Sequence, residues 1–259
     1  MKKDNLLFLD VDGTIYDNKN ERIPPDSVEA IRLVHESGRT RIIIATGRAP
    51  NMLEHLNIIK PYISGYVLLN GQYVECEGNT LHSTPISRET LQKLDAFAKR
   101  KNVPLGVVGL KNANVSFLNE NVEVSFNSYQ IKPYQVGDFD FSFDVYQGWL
   151  FGDAKMISEA AKLVLECQFL HWGQNGCDII TKGTSKAIGV KVLIDRFRVR
   201  HENTYAIGDS NNDIEMIQSV KYGIAMGNGT KEIREVSCYV TERIDQRGLY
   251  DALKRFKLF

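Results

Sequence analysis

Two carboxylates two residues apart, Asp10 and Asp12, directly follow the apolar run Leu6-Leu7-Phe8-Leu9 and precede Gly13-Thr14. Like charges this close raise each other's pKa, so the pairing makes sense where a cation neutralises one acid and the other can hold a proton. Gly13 permits a tight backbone turn there. An acidic turn without chemistry is the plain alternative, because Asp and Gly are ordinary punctuation after strands. A second oxygen-rich segment, Gly208-Asp209-Ser210-Asn211-Asn212-Asp213, follows the apolar run Thr204-Tyr205-Ala206-Ile207. Carboxylate and amide oxygens of this kind suit Mg²⁺, which binds one or two carboxylates and substrate phosphate while keeping several waters. The spacing of an EF-hand calcium loop is absent. A helix N-cap accounts for part of this segment but not for its pairing with Asp10.

Thr46-Gly47-Arg48 follows another apolar run and is expected to open a helix, where a hydroxyl and free backbone N–H groups can hold phosphate oxygens. Lys186, in the first turn of a helix after Thr181-Lys182-Gly183-Thr184-Ser185, can act as a point charge on phosphate and screen the acids. Lys182 and Lys191 fit that role equally well on paper. Asp10, Thr46, Asn70 and Asp209 each stand at or just beyond the carboxyl end of an expected strand. That edge is where open parallel α/β sheets bind ligands.

The elements that must position these residues follow from the spacing of apolar positions. Short apolar runs at Leu6–Leu9, Arg41–Ala45 and Tyr66–Leu69 alternate with amphipathic stretches, the pattern of a parallel sheet flanked by helices. The first helix is expected after Pro24-Pro25, with Asp26 near its cap, Gly38 at its end, and Val28, Ile31, Leu33 and Val34 toward the sheet. A second helix is expected around Met52 to Ile59. Asn70-Gly71 and Glu77-Gly78-Asn79 read as hairpin turns. From about His82 to Thr181 the rhythm becomes helix (Ser87–Lys101), several β-like runs, helix (Asp153–Glu166) and two more runs, the sign of an inserted α+β domain. The first pattern then resumes: a helix from Ser185 to about Phe197, the strand at Thr204, a helix Asn211–Ser219, a strand near Tyr222–Ala225, and a last helix toward Phe256. The expected division is therefore a core of residues 1–81 and 182–259, with an inserted domain of 82–181.

Composition narrows the function classes. The 259 residues, 43% hydrophobic and 25% charged, resemble an ordinary folded enzyme. Thirty-two basic residues balance thirty-two acidic ones, which argues against a protein built on nucleic acid or an anionic membrane. Cys76, Cys167, Cys177 and Cys238 are scattered without a C-x-x-C pair, and the five histidines show no ligand spacing. The N-terminal apolar run is too short for a signal peptide or a membrane span, so a cytoplasmic location is expected.

On Asp10-Val11-Asp12-Gly13-Thr14, Thr46, Lys186, and Gly208-Asp209 with Asn212-Asp213, the sequence resembles the haloacid dehalogenase (HAD) superfamily, in its Cof-type branch of sugar-phosphatase-like hydrolases. The resemblance spans nearly the whole chain. It implies an α/β fold: a Rossmann-like core, its parallel sheet flanked by helices on both faces, with a large α+β cap inserted between the second and third motifs. It also implies roles. Asp10 is the nucleophile, and Asp12 the acid and then base. Mg²⁺ is held by the Asp10 carboxylate, the Asp12 backbone carbonyl and Asp209, with Asp213 supporting. Thr46 and Gly47, Lys186 and Asn212 hold phosphate, and Asn70-Gly71 lies near the substrate. Asp12 at this position favours phosphatase or phosphomutase chemistry over dehalogenation. The expected substrate is a small phosphorylated metabolite, sugar phosphates first and flavin or pyridoxal phosphates next. His171-Trp172-Gly173-Gln174-Asn175 is a candidate cap lining. A phosphomutase and a phosphometabolite-binding regulator are the competing readings. The sequence does not fix oligomeric state.

Overall fold

The computed structural model describes residues 3–128, 132, 134–139, 141–171 and 176–259. In chain order the elements begin β1 (Asn5–Leu9), α1 (Pro25–Glu36), β2 (Thr40–Ala45), β3 (Gly65–Leu68), β4 (Tyr73–Cys76) and β5 (Asn79–Ser83). Next come α2 (Arg88–Lys101), β6 (Leu105–Val108), β7 (Ala113–Val115), α3 (Glu120–Ser128), β8 (Gln135–Val136), β9 (Gln147–Leu150), α4 (Ala154–Ala161), β10 (Cys167–His171) and β11 (Cys177–Thr181). The chain closes with α5 (Lys186–Phe197), β12 (Thr204–Gly208), α6 (Ile214–Gln218), β13 (Tyr222–Ala225), α7 (Lys231–Val236), β14 (Tyr239–Val240) and α8 (Gly248–Arg255).

These elements form two compact units. One comprises Met1–Arg48, Glu54–Ser83 and Ser185–Phe259; the other comprises Ala49–Leu53 and Thr84–Thr184. The first unit holds an eight-stranded sheet in the order β14-β13-β12-β1-β2-β3-β4-β5. Its strands run parallel from β14 to β3, and β4 and β5 add antiparallel at one edge. Leu6 to Leu9 are wholly buried, as a strand covered on both faces requires. Successive side chains alternate faces: Leu6 and Phe8 join Ile43, Ala45, Val67, Val190, Leu193 and Met216 in one core cluster, so Leu7 and Leu9 point to the other face. Each such burial contributes about 1.5–3 kcal/mol. On one side α5, α6 and α7 pack in series, and α1 packs with α8.

The second unit holds a sheet in the order β10-β11-β9-β6-β7-β8. Leu91, Leu94 and Phe97 of α2 and Ile157 and Ala160 of α4 meet Leu105, Val107, Leu150 and Ile179 in its core. Phe126 of α3 makes edge contacts with Trp149 and Phe151.

Several expected elements change form. The helix expected around Met52 to Ile59 is replaced by three single 3₁₀ turns, Pro50–Met52, Glu54–Leu56 and Lys60–Tyr62. Pro50 opens the first turn and Pro61 is the second residue of the third, positions where the missing N–H of proline costs nothing. Val122, Val124 and Phe126 alternate like a strand yet lie on α3, because Asn119 Oδ1 accepts the Val122 N–H at 3.0 Å and caps a helix. In α1 the buried stripe is Ser27, Ala30, Ile31 and Val34, leaving Val28 and Leu33 half-buried. The helix expected to run from Asp153 to Glu166 stops at Ala161, after which Val164 turns into the core ahead of β10. Asp153 caps it through the Met156 N–H. The stretch Asn211–Ser219 splits into a 3₁₀ turn, Asn211–Asp213, and α6. Helix α7 and strand β14 carry no clear apolar period and escape a reading of the sequence. Of the run His171–Asn175, residues 172–175 lie outside the described residues. Among the described residues no helix is long and apolar enough to cross a membrane.

Candidate active site

Asp10 is the first residue past β1, and its N–H donates to the Ile207 carbonyl of β12 at 3.0 Å. The central strand and its late neighbour thus fix where the Asp10 side chain starts. Asp209 follows β12 directly, so both acids leave the sheet at the same edge. Gly13 brings their loops together: its φ is +82°, and a Cβ there would lie 2.1 Å from Asp209 Oδ2. Only glycine fits both the turn and the approach.

Lys186 opens α5 and is 1% exposed. Its ammonium donates to Asp10 Oδ1 at 2.5 Å and to Asp213 Oδ1 at 2.6 Å. The helix can press this close because Gly189, one turn on, faces Val67 of β3, where a Cβ would sit 2.3 Å from a Val67 methyl. Asp213 is fully buried, and its second oxygen accepts from the backbone N–H groups of Asp209 and Ser210 at 3.2 and 3.1 Å. It anchors the Asp209 loop and the lysine together.

Burial, and then the neighbouring Asp213 carboxylate, push Asp10 well above the usual carboxylate range, although Lys186 pulls it back. Burial and Asp213 likewise push Asp209 up to about 7. For Lys186, burial favours loss of the proton, but the charges of Asp10 and Asp213 outweigh it and raise its pKa. Carboxylate oxygens of Asp10, Asp209 and Asp213 lie within 4.8 Å of one another, and Asp209 Oδ1 is buried without a hydrogen-bond partner. Three hard oxygen donors, one of them orphaned, fit a divalent cation with oxygen preference. Such an ion would supply the missing partner and lower the raised pKa values.

Thr46 is buried just past β2, with its Oγ1 accepting the Arg48 N–H at 3.1 Å. Asn70 adopts a left-handed backbone, φ 55°, and its N–H donates to the Thr46 carbonyl. The Asn70 side chain lies over Gly47, and Asn212 Nδ2 donates to Asn70 Oδ1 at 3.3 Å. Thr46, Gly47, Asn70 and Asn212 therefore form one connected polar group. Gly71, φ +93°, lies against the Ser185 carbonyl at the start of α5. The Asp12 side chain does not join the three-carboxylate cluster; Arg48 takes it in a two-pronged ion pair.

Two residues escape a reading of the sequence. Arg48 is singled out there only as part of Thr46-Gly47-Arg48, because nothing local announces a partner 36 positions away. Asn228 donates its Nδ2 to the Gly13 carbonyl at 2.8 Å and accepts the Ile244 N–H at 2.9 Å, bracing the Asp12–Gly13 turn. Its one local signal is Gly227-Asn228-Gly229 just after an apolar strand.

A family model described as haloacid dehalogenase-like hydrolase matches residues 7–253. A protein of Geobacillus kaustophilus HTA426 of known crystal structure is 32% identical, with a TM-score of 0.91 over 98% of this chain and 99% of that one. The HAD subclass IIB sugar phosphatase BT4131 is 28% identical, with a TM-score of 0.86 over 98% of this chain and all of that one. YkrA of Bacillus subtilis (strain 168) is 27% identical over 98% of both chains. A parallel sheet with acids at its carboxyl edge, a lysine reaching them from α5, and a match over almost the full length converge on one assignment: the chain belongs to the haloacid dehalogenase-like hydrolase family.

Proposed function

We propose that this chain is a Mg²⁺-dependent phosphatase of small phosphorylated metabolites, with sugar phosphates the first class and Asp10 the nucleophile. The observation that carries the reading is Asp10 itself. It is buried at the carboxyl end of the central strand, bonded to Lys186, and shares a cluster of oxygen donors with Asp209 and Asp213. A carboxylate so placed can attack phosphorus while fixed cations meet the phosphoryl charge. Similarity to a sugar phosphatase supports the substrate class.

Asp10 and Asp209 would hold the metal, with Asp213 behind them. Bound there, Mg²⁺ would supply charge neutralisation for nucleophile and phosphoryl oxygens. The protein's own groups do the rest. Lys186 orients the Asp10 carboxylate and offsets phosphate charge. Thr46, the N–H groups around Gly47, Asn70 and Asn212 bind phosphoryl oxygens. Asp12 gives a proton to the departing alcohol and later takes one from the water that cleaves the aspartyl-phosphate. The proposed inserted cap, residues 82–181, selects the substrate, since the first-unit residues assigned above address the phosphoryl group and the leaving oxygen, which all phosphomonoesters share. A cytoplasmic setting accords with the four free thiols, three of them buried.

The test is phosphate release from sugar, nucleotide, flavin and pyridoxal phosphates, with Mg²⁺ or EDTA, for wild type and Asp10→Asn. Metal-dependent release that the substitution abolishes is expected. Isomerised sugar phosphate without release would replace hydrolysis with mutase chemistry, and turnover surviving in Asp10→Asn would remove the nucleophile assignment.

A further inference from the structure

Arg48 Nε donates to Asp12 Oδ2 and Nη2 to Asp12 Oδ1, both at 2.8 Å. A single hydrogen bond leaves a carboxylate free to rotate about its Cβ–Cγ bond, whereas two parallel bonds from a planar guanidinium fix its plane. The arginine is itself held at both ends of its backbone. Its N–H donates to Thr46 Oγ1 at 3.1 Å, and its carbonyl accepts the Leu69 N–H at 3.3 Å. The plane of the Asp12 carboxylate is thereby referenced to Thr46, the residue assigned to the phosphoryl group. Each carboxylate oxygen offers about two lone-pair directions. The fork takes one on each and leaves the other open to an alcohol or a water.

We propose that Arg48 is the positioning residue for Asp12, setting the direction in which Asp12 passes its proton to the leaving oxygen and recovers it from water. The proposal rests on the phosphatase reading. In the first step Asp10 Oδ bonds to phosphorus, the phosphorus–ester oxygen bond breaks, and the departing oxygen takes the Asp12 proton. In the second, water bonds to phosphorus and gives its proton to Asp12. The bond to Asp10 then breaks, releasing inorganic phosphate and restoring both acids.

The competing account is an ordinary part-exposed ion pair with no bearing on chemistry. Leaving-group chemistry separates the two. p-Nitrophenolate departs without a proton, whereas the alkoxide of glucose 6-phosphate needs one. In Arg48→Gln, a rapid-mixing burst of p-nitrophenolate should persist within a few-fold of wild type, followed by slow steady turnover because the water step still needs Asp12. Turnover of glucose 6-phosphate should fall by about 10²-fold or more, the usual scale of proton-transfer catalysis. Arg48→Lys keeps the charge without the fork and should fall between wild type and Arg48→Gln. Arg48→Gln added to Asp12→Asn should cost nothing further, because Arg48 acts through Asp12. Equal loss on both substrates, no loss on either, full rescue by lysine, or a further loss in the double variant would each overturn the proposal. Failure of the wild type to turn over any phosphomonoester would instead overturn the phosphatase reading.

Discussion

Lys186 and Arg48 pair with acids two residues apart, Asp10 and Asp12, yet they work in different media. Lys186 and its partners Asp10 and Asp213 are at most 6% exposed, while the Arg48 and Asp12 side chains are 19% and 34% exposed. In the dry corner, water cannot substitute for a lost partner, so each charge depends on the others for its ionisation state. At the wetter rim, water can replace either partner. The same chemical bond thus serves structure and charge balance in one place and orientation in the other.

The largest expected effect breaks the dry corner. Lys186→Met leaves Asp10 and Asp213 buried without their cation and should cost about 3–5 kcal/mol by denaturant unfolding. The loss should shrink as pH falls and the stranded Asp10, already pushed up by burial, takes up a proton. A loss below about 1 kcal/mol would put Lys186 on the level of a surface pair and erase the contrast.

Metal and pH sharpen it next. Asp209 in the fold sits at about 7, against about 3.9 for an unfolded Asp. A carboxyl raised in this way favours the fold below its unfolded value and loses that contribution as pH rises through its folded value. The metal-free protein should therefore shed stability from about pH 4 to about pH 7, by a few kcal/mol from this group, and change little from it above. Mg²⁺ should accordingly raise Tm more at pH 8 than at pH 5. Equal increments at the two pH values would separate Asp209 from the metal.

The smallest effect belongs to the rim. Arg48→Gln should change unfolding free energy by no more than about 1 kcal/mol, whatever it does to turnover. A drop comparable to that of Lys186→Met would show that the fork carries fold stability as well as orientation.

How much of this the sequence reveals depends on whether a residue's role is set locally. Leu6–Leu9 followed by Asp10 announces a buried strand and its terminal acid within a few residues. The Asn70-Gly71 and Glu77-Gly78 turns announce themselves through left-handed backbone, φ 55° at Asn70 and 51° at Glu77. Lys186 needs the fold: Lys182 and Lys191 are equivalent until α5 is laid on β3, when Lys186 alone of the three turns inward and Lys191 pairs with Asp195 on the surface. Arg48 and Asn228 are invisible for the same reason, since their partners are distant in sequence. Helix α3, whose first turn is capped by Asn119, falls within a stretch read from the sequence only as several β-like runs.

The strand order carries a consequence for synthesis. Leu6 pairs with Arg41 on one side of β1 and with Thr204 on the other. A chain leaving the ribosome N-terminus first can form the first pairing early, but the second waits for β12. At about 5–20 residues per second, that delay is roughly eight to thirty seconds. Meanwhile the whole of Thr84–Thr184 has emerged and can fold around its own sheet. The strand that presents Asp10 thus spends its youth as an unpaired edge, the geometry most open to pairing with a wrong neighbour, and the acidic cluster comes into being only when the last third of the chain arrives.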